Sequence, residues 1–155
     1  MSIRIRKASL KDFDRFLELA NLSHEHHMRL VPGVFAPLNK ESIREHFIKS
    51  INDERYCLLA AEQDGVIVGH IQGEFIDGGI WYQRQRGCVI NGISVDEKFR
   101  SKVVGTMLMD ALKAECVKRG VEEIKLNVYL TNPRAVEFYK RLGFKEISYK
   151  MTLDL

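Results

Sequence analysis

The segment NPRAVEFYKRLGF, Asn132–Phe144, has the clearest local punctuation in the chain. Asn132 can cap a helix by accepting a backbone N–H of the first turn. Pro133 suits the first helical position, where its missing N–H is not needed. Gly143 can take the left-handed conformation that ends a helix. Just ahead, VEEIKLNVYL (121–130) places Ile124, Leu126, Val128 and Leu130 at alternate positions, which predicts a strand with one buried face. Just after, FKEISYKMTLDL (144–155) alternates again and predicts a final strand.

Upstream lies EKFRSKVVGTML, Glu97–Leu108, a loop running into a helix. Val104, Met107, Leu108, Ala111, Leu112 and Cys116 fall at helical spacing, and Gly120 ends the run. The first N–H groups of such a helix lack intrahelical acceptors and carry partial positive charge, so an anion is favoured there. Arg100 and Lys102 add charge, and Thr106 offers a hydroxyl. Neither G-x-x-x-x-G-K-[ST] nor G-x-G-x-x-G is present, which excludes a nucleotide P-loop and a dinucleotide fingerprint. On its own the stretch also reads as a solvated basic turn before an amphipathic helix.

Toward the N-terminus, residues 3–8 alternate as a strand, and Ser9 is placed to cap a helix with Phe13, Phe16, Leu17 and Ala20 on one face. The pattern breaks at SHEHHMRLVPGVFAP, where Pro32, Gly33 and Pro37 predict a loop. Asn39 opens a second helix carrying Ile43, Phe47, Ile48 and Ile51. RYCLLAAEQ and VIVGHIQGEFI flank Asp64-Gly65 and predict a hairpin. DGGIWYQRQRG is a longer connection, and CVINGISV is a fourth strand in which Gly92 predicts a bulge or a close backbone approach. One strand, two helices, three strands, then alternating helix and strand predict an α/β or α+β domain built on a mixed sheet.

With 155 residues, 45% hydrophobic and 29% charged, the chain is expected to form one domain over 1–155. A net charge of +3 suits a small polyanionic ligand, whereas basic residues interspersed with acids argue against a nucleic-acid module. No run is apolar enough for a signal peptide or a membrane span, and Cys57, Cys88 and Cys116 are widely spaced and odd in number. A cytoplasmic protein with reduced thiols and no membrane partner is expected.

Taken together, INGISVDEKFRSKVVGTMLMDAL resembles the acetyl-CoA-binding motif of the GNAT superfamily of N-acetyltransferases, with Arg100 and Gly105 at the first and last positions of [RQ]-x-x-G-x-[GA]. VEEIKLNVYLTNPRAVEFYKRLGFKEI resembles the next segment of that superfamily, matching at Asn132, Ala135, Tyr139, Leu142, Gly143 and Phe144. The resemblance implies a mainly antiparallel sheet splayed between its fourth and fifth strands. It implies acetyl-CoA as co-substrate, with its pantetheine arm along backbone groups near Ile93 and Val95. The pyrophosphate would lie on N–H groups of Arg100, Ser101, Lys102, Val103, Val104, Gly105 and Thr106, with Asn132 contacting the cofactor. Val103 departs from the pattern, which has glycine there; its Cβ is expected to shift or weaken phosphate binding without removing the N–H.

Acetyl transfer needs a neutral amine, a stabilised oxyanion and a protonated leaving thiolate. A backbone N–H near Ile93 is the candidate donor to the oxyanion, and the resemblance assigns the acid to Tyr139. A core aromatic is the plainer role for Tyr139, as N-capping is for Asn132. Relatives often carry an acid near Asn91 or Gly92, which this chain lacks, leaving Glu74 and, less directly, His70 as candidate bases, with loss of the proton through ordered water as the alternative. HEHHM, His24–Met28, is not H-E-x-x-H and predicts no metal site. His27, Phe35 and Glu41 are candidate contacts to the acceptor. Trp81 and Tyr82 suit a lid, a homodimer contact or core packing. A transferase acting on a small-molecule or peptide amine is the leading expectation; a CoA-binding domain without catalysis is the competing one.

Overall fold

In a computed structural model, which describes residues 2–80, 82–100 and 103–153, five strands lie side by side in chain order. They are β1 (Arg4–Lys7), β2 (Tyr56–Gln63), β3 (Val66–Asp77), β4 (Arg86–Val95) and β5 (Glu123–Leu126). The first four are mutually antiparallel, and β5 joins β4 in parallel. Asp64 and Gly65 turn the β2–β3 hairpin with φ of 51° and 80°, the left-handed values that such a two-residue turn demands.

Alternation along β2 divides the core. Cys57, Leu59 and Ala61 face α3 (Val104–Lys118), where Leu108, Met109 and Leu112 are fully buried. Leu58 and Ala60 face the other way, onto α1 (Phe13–Leu30) and α2 (Lys40–Asn52), whose Phe13, Phe16, Leu19 and Phe47 close the second layer. All three cysteines are buried free thiols on the α3 side. Arg6 fastens β1 to the start of α1 by pairing with Asp12 (2.7 Å) and Glu62 (2.6 Å). Asp12 also accepts from the Ser9 backbone N–H at 2.8 Å. The Arg6 guanidinium and these donors hold the Asp12 carboxyl down at about 2.

Three expectations change. First, Ser9 caps a short 3-10 turn (Leu10–Asp12) that leads into α1, and α1 then runs through HEHHM to Leu30 instead of stopping near Ser23. The apolar pattern ends there because that face of the helix borders a cleft, so helical backbone persists without apolar periodicity. Second, the expected strand over 121–130 pairs only over Glu123–Leu126. Third, the expected final strand is absent: described residues 144–153 form no ladder, and Ile147, Tyr149, Met151 and Leu153 are exposed. Alternation prepares a segment to be a strand, but a strand also needs a partner edge.

The β3–β4 register supplies the bend that opens the sheet. Gln72 pairs with Gly92 and Gly73 with Ile90, leaving Asn91 as the extra residue of a bulge. The predicted irregularity is present, one residue before Gly92. Pairing of β4 with β5 ends at Ile90 and Leu126, at that same bulge.

Candidate active site

Beyond the bulge, β4 keeps β3 as a neighbour on one side and has no ladder on the other. Asp96 donates its N–H to Val68 O on β3, whereas Val95 O accepts from the Arg100 side chain at 3.1 Å. Both backbone groups of one strand residue point to the same edge, and edges alternate along the chain. The N–H and C=O of Ile93 and Val95 therefore face the gap between β4 and β5.

The gap opens into a cleft of about 1310 Å³ that spans the molecule from α1 and α2 to α3 and α4 (Pro133–Arg141). Gly92 lines it, and a Cβ there would meet nothing within 4 Å. At one end stands the N-terminus of α3. Met107 N–H closes onto the helix at Val103 O (2.8 Å), so the N–H groups of Val104, Gly105 and Thr106 precede the first helical bond and find no acceptor among the described residues of α3. Val103, Gly105 and Thr106 line the cleft, while the Val104 side chain is fully buried in the core. Val103 has φ of −52°, a value open to any L-residue, and its side chain is exposed. Val103 itself is therefore not in a left-handed conformation that would call for glycine. Gly105 has a packing reason: a Cβ would come within 3.2 Å of the Phe138 ring on α4. Arg100 also pairs with Glu97 at 2.8 Å. Ser101 and Lys102 lie outside the described residues, as does Trp81.

Asn132 caps α4 by accepting from Ala135 N–H at 3.2 Å and also lines the cleft. Two turns later Tyr139 lines it too, its ring held between Phe138 (5.3 Å) and Phe144 (5.7 Å). Burial pushes the Tyr139 phenol up to about 12, so it keeps its proton at neutral pH.

The opposite end is made of side chains. Ala20, Ser23, His24, His27 and Leu30 present one face of α1 to the cleft at helical spacing. His24 Nε2 meets Ala36 O at 2.7 Å. Phe35 packs against His24 (5.5 Å), His27 (5.9 Å) and Tyr129 (5.8 Å), joining the loop after α1 to the segment after β5. On the floor, Gln72 Nε2 donates to Ser50 Oγ (2.8 Å) and lies 2.9 Å from His46 Nε2, while Ser50 Oγ donates to His46 O at 2.7 Å. That network makes His46 Nε2 an acceptor and places the proton of the neutral ring on Nδ1. His70 stacks on Phe16 at 4.4 Å. Its Nδ1 is buried without a hydrogen-bond partner, and burial drives the imidazole down to about 4, so it is neutral at pH 7.

The remaining candidates sit outside this lining. Glu74 accepts from Asn91 Nδ2 at 3.1 Å, and of the two only Asn91 lines the cleft. Glu41 lies in the exposed first turn of α2, and exposed Tyr82 is stacked by Lys125 at 5.4 Å. Residue patterns alone missed His46, Gln72 and Tyr129; the signal was strand alternation, which puts Gln72 on the same face as His70. Among the described residues no helix is long and apolar enough to cross a membrane.

Comparison with known proteins fits this geometry. The Acetyltransferase (GNAT) family profile matches residues 15–144. An N-alpha-acetyltransferase of Sulfurisphaera tokodaii is 30% identical over 93% of this chain and 81% of its own length. The BH1408 protein of Bacillus halodurans, solved as a point mutant, superposes with a TM-score of 0.87 at 23% identity, covering 98% of this chain and 99% of that one. The aminoglycoside N-acetyltransferase AAC(6')-Iy, solved with a bisubstrate analogue of CoA, superposes at 0.79 with 17% identity over 100% of this chain and 99% of its own. The chain belongs to the GNAT acetyltransferase family and is an acyl-CoA-dependent N-acyltransferase.

Proposed function

We propose that the protein transfers an acetyl group from acetyl-CoA directly to a primary amine, with Tyr139 as the acid. The supporting observation is the convergence, in one cleft, of the free edge of β4 at Ile93 and Val95, the open N-terminus of α3 and the Tyr139 phenol. In this arrangement the pantetheine arm pairs with β4 like an added strand. The pyrophosphate rests on N–H groups from Arg100, Ser101, Lys102 and Val103 through Thr106, with Asn132 beside it. The amine nitrogen attacks the thioester carbonyl carbon, and the Ile93 N–H stabilises the oxyanion. As the carbon–sulfur bond breaks, Tyr139 protonates the sulfur; the nitrogen loses one proton to a base or to solvent, and the Tyr139 phenolate takes one back from solvent.

That proton has two routes. Glu74 reaches the cleft only through Asn91, so as a base it acts across Asn91 and water. His70 is buried against Phe16, and burial holds its imidazole down at about 4, which makes it a weak base at neutral pH. Loss of the proton to solvent water is the second route. A pH–rate profile in Glu74→Gln that matches wild type selects the water route.

The test of the proposal is thiol release from acetyl-CoA with a broad amine panel. Tyr139→Phe is expected to lower kcat by about 100-fold with acetyl-CoA affinity unchanged. Amine-dependent release that is equal in Tyr139→Phe removes the acid role. Acetyl-CoA binding without release for any amine favours a CoA-binding domain without catalysis, a reading supported by the absence of Asp and Glu from the described cleft lining.

A further inference from the structure

All five histidines of the chain, His24, His26, His27, His46 and His70, line this single cleft. Its formally charged described lining consists of Arg100, Arg134 and Arg141; no Asp, Glu or Lys contributes. A polycationic acceptor entering here would shed water from several ammonium groups and find no carboxylate to replace it. The ring faces of Phe35 and Tyr129 offer only a weak alternative for a cation.

His26 senses the local field. Burial first, then the charges of His27, Arg100, Arg29 and Arg134, hold its imidazole below the ordinary histidine value. Burial chiefly, and these positive neighbours after it, disfavour a proton at this position; Arg100 and Arg134, which also line the cleft, would oppose a substrate ammonium by charge. Histidine N–H groups can instead donate to an anion, in the neutral ring as well as in the charged one. His46, with its proton on Nδ1, keeps a donor that the Gln72–Ser50 network does not consume.

Building on the acyl-transfer reading above, we infer that the acceptor is an amine bearing a carboxylate, seated by His27 and His46 on the histidine wall, and that polycations are excluded. His27 is a specificity residue in this account. It stands on α1 between Phe35 and Tyr129, 5.9 and 6.4 Å from their rings, where an acceptor tail passes. A single carboxylate there would change the sign of what the wall attracts.

Two matched probe series test this with saturating acetyl-CoA. One is 4-aminobutyrate, n-butylamine and 1,4-diaminobutane, which share four carbons and differ in the charge of the tail. The other is C-terminally amidated tripeptides of equal length with Glu, Gln or Lys in the first two positions, so that only the Glu peptide bears carboxylates. The carboxylate-bearing probe is expected to have the highest kcat/KM, at least about tenfold above the cationic one. His27→Glu should reduce or reverse that ratio by about tenfold or more, and His27→Gln should only weaken it. Calorimetry reports acetyl-CoA affinity separately. Preference for the cationic probe, or no turnover in either series, with acetyl-CoA bound, overturns the inference and leaves cofactor binding standing. No acetyl-CoA binding and no thiol release from any amine overturns the acyl-transfer reading as well.

Discussion

At the end of the cleft between β4, α3 and α4, the groups that face a ligand are mostly backbone: the edge of Ile93 and Val95 and the first N–H groups of α3. At the end between α1, α2 and the loop after α1, they are side chains: the histidines, Phe35, Gln72 and Tyr129. Backbone donors survive almost any substitution at their own positions, because every residue except proline carries an N–H. They are disturbed only by whatever moves the chain. Side-chain groups are deleted one at a time. The first end is therefore suited to an invariant ligand such as acetyl-CoA, and the second can be rebuilt for a new acceptor without touching the first.

The largest expected effect sits at the side-chain end and appears as stability. The folded-state value of His70 lies near 4, below the unfolded value of 6.5. Its contribution is thus complete above about pH 6.5 and is lost as pH falls from 6.5 to 4, amounting to about 3 kcal/mol. Asp12 adds a second loss of about 2 kcal/mol as pH falls from about 4 to 2. Urea unfolding across pH should show the first decline in wild type but not in His70→Phe. That variant forfeits no hydrogen bond at Nδ1 and should be at least as stable at pH 7. A first decline that persists in His70→Phe shows that the buried imidazole is not its source.

A smaller effect is expected at the backbone end, and it acts by displacement. Gly105→Ala drives a Cβ to 3.2 Å from Phe138 and should cost about 1–2 kcal/mol of stability together with a weaker grip on acetyl-CoA. Adding Phe138→Leu should recover much of both, as thermal unfolding and calorimetry would show. Weaker binding that Phe138→Leu does not relieve breaks the packing account of this glycine. The smallest effect belongs to Val103→Gly. With φ at −52° and an exposed side chain, acetyl-CoA affinity should change by no more than about threefold. A gain of tenfold or more would mean that the valine side chain does obstruct the phosphates.

The same contrast explains what the sequence disclosed. Asn132, Pro133 and Gly105 mark the backbone-built end, because helix starts and tight packing demand particular residues at fixed offsets. The cap at Asn132 and the bulge beside Gly92 were legible for that reason. The other end was legible only in part: the sequence pointed to His27 and Phe35, which line it, but His46, Gln72 and Tyr129 join them only through tertiary packing. Histidines on the cleft face of α1 even concealed the helix, by replacing the apolar periodicity that would have revealed it. The segment over 144–153 misled in the opposite sense: alternation promised a strand, and no ladder formed.

Amide hydrogen exchange with and without acetyl-CoA tests most directly whether backbone forms the cofactor seat. The expected result is protection concentrated at Ile93 and Val95 and at Val104 through Thr106, with no comparable change in α2. Acetyl-CoA bound with those amides unprotected, or with protection confined to α1 and α2, would contradict the account.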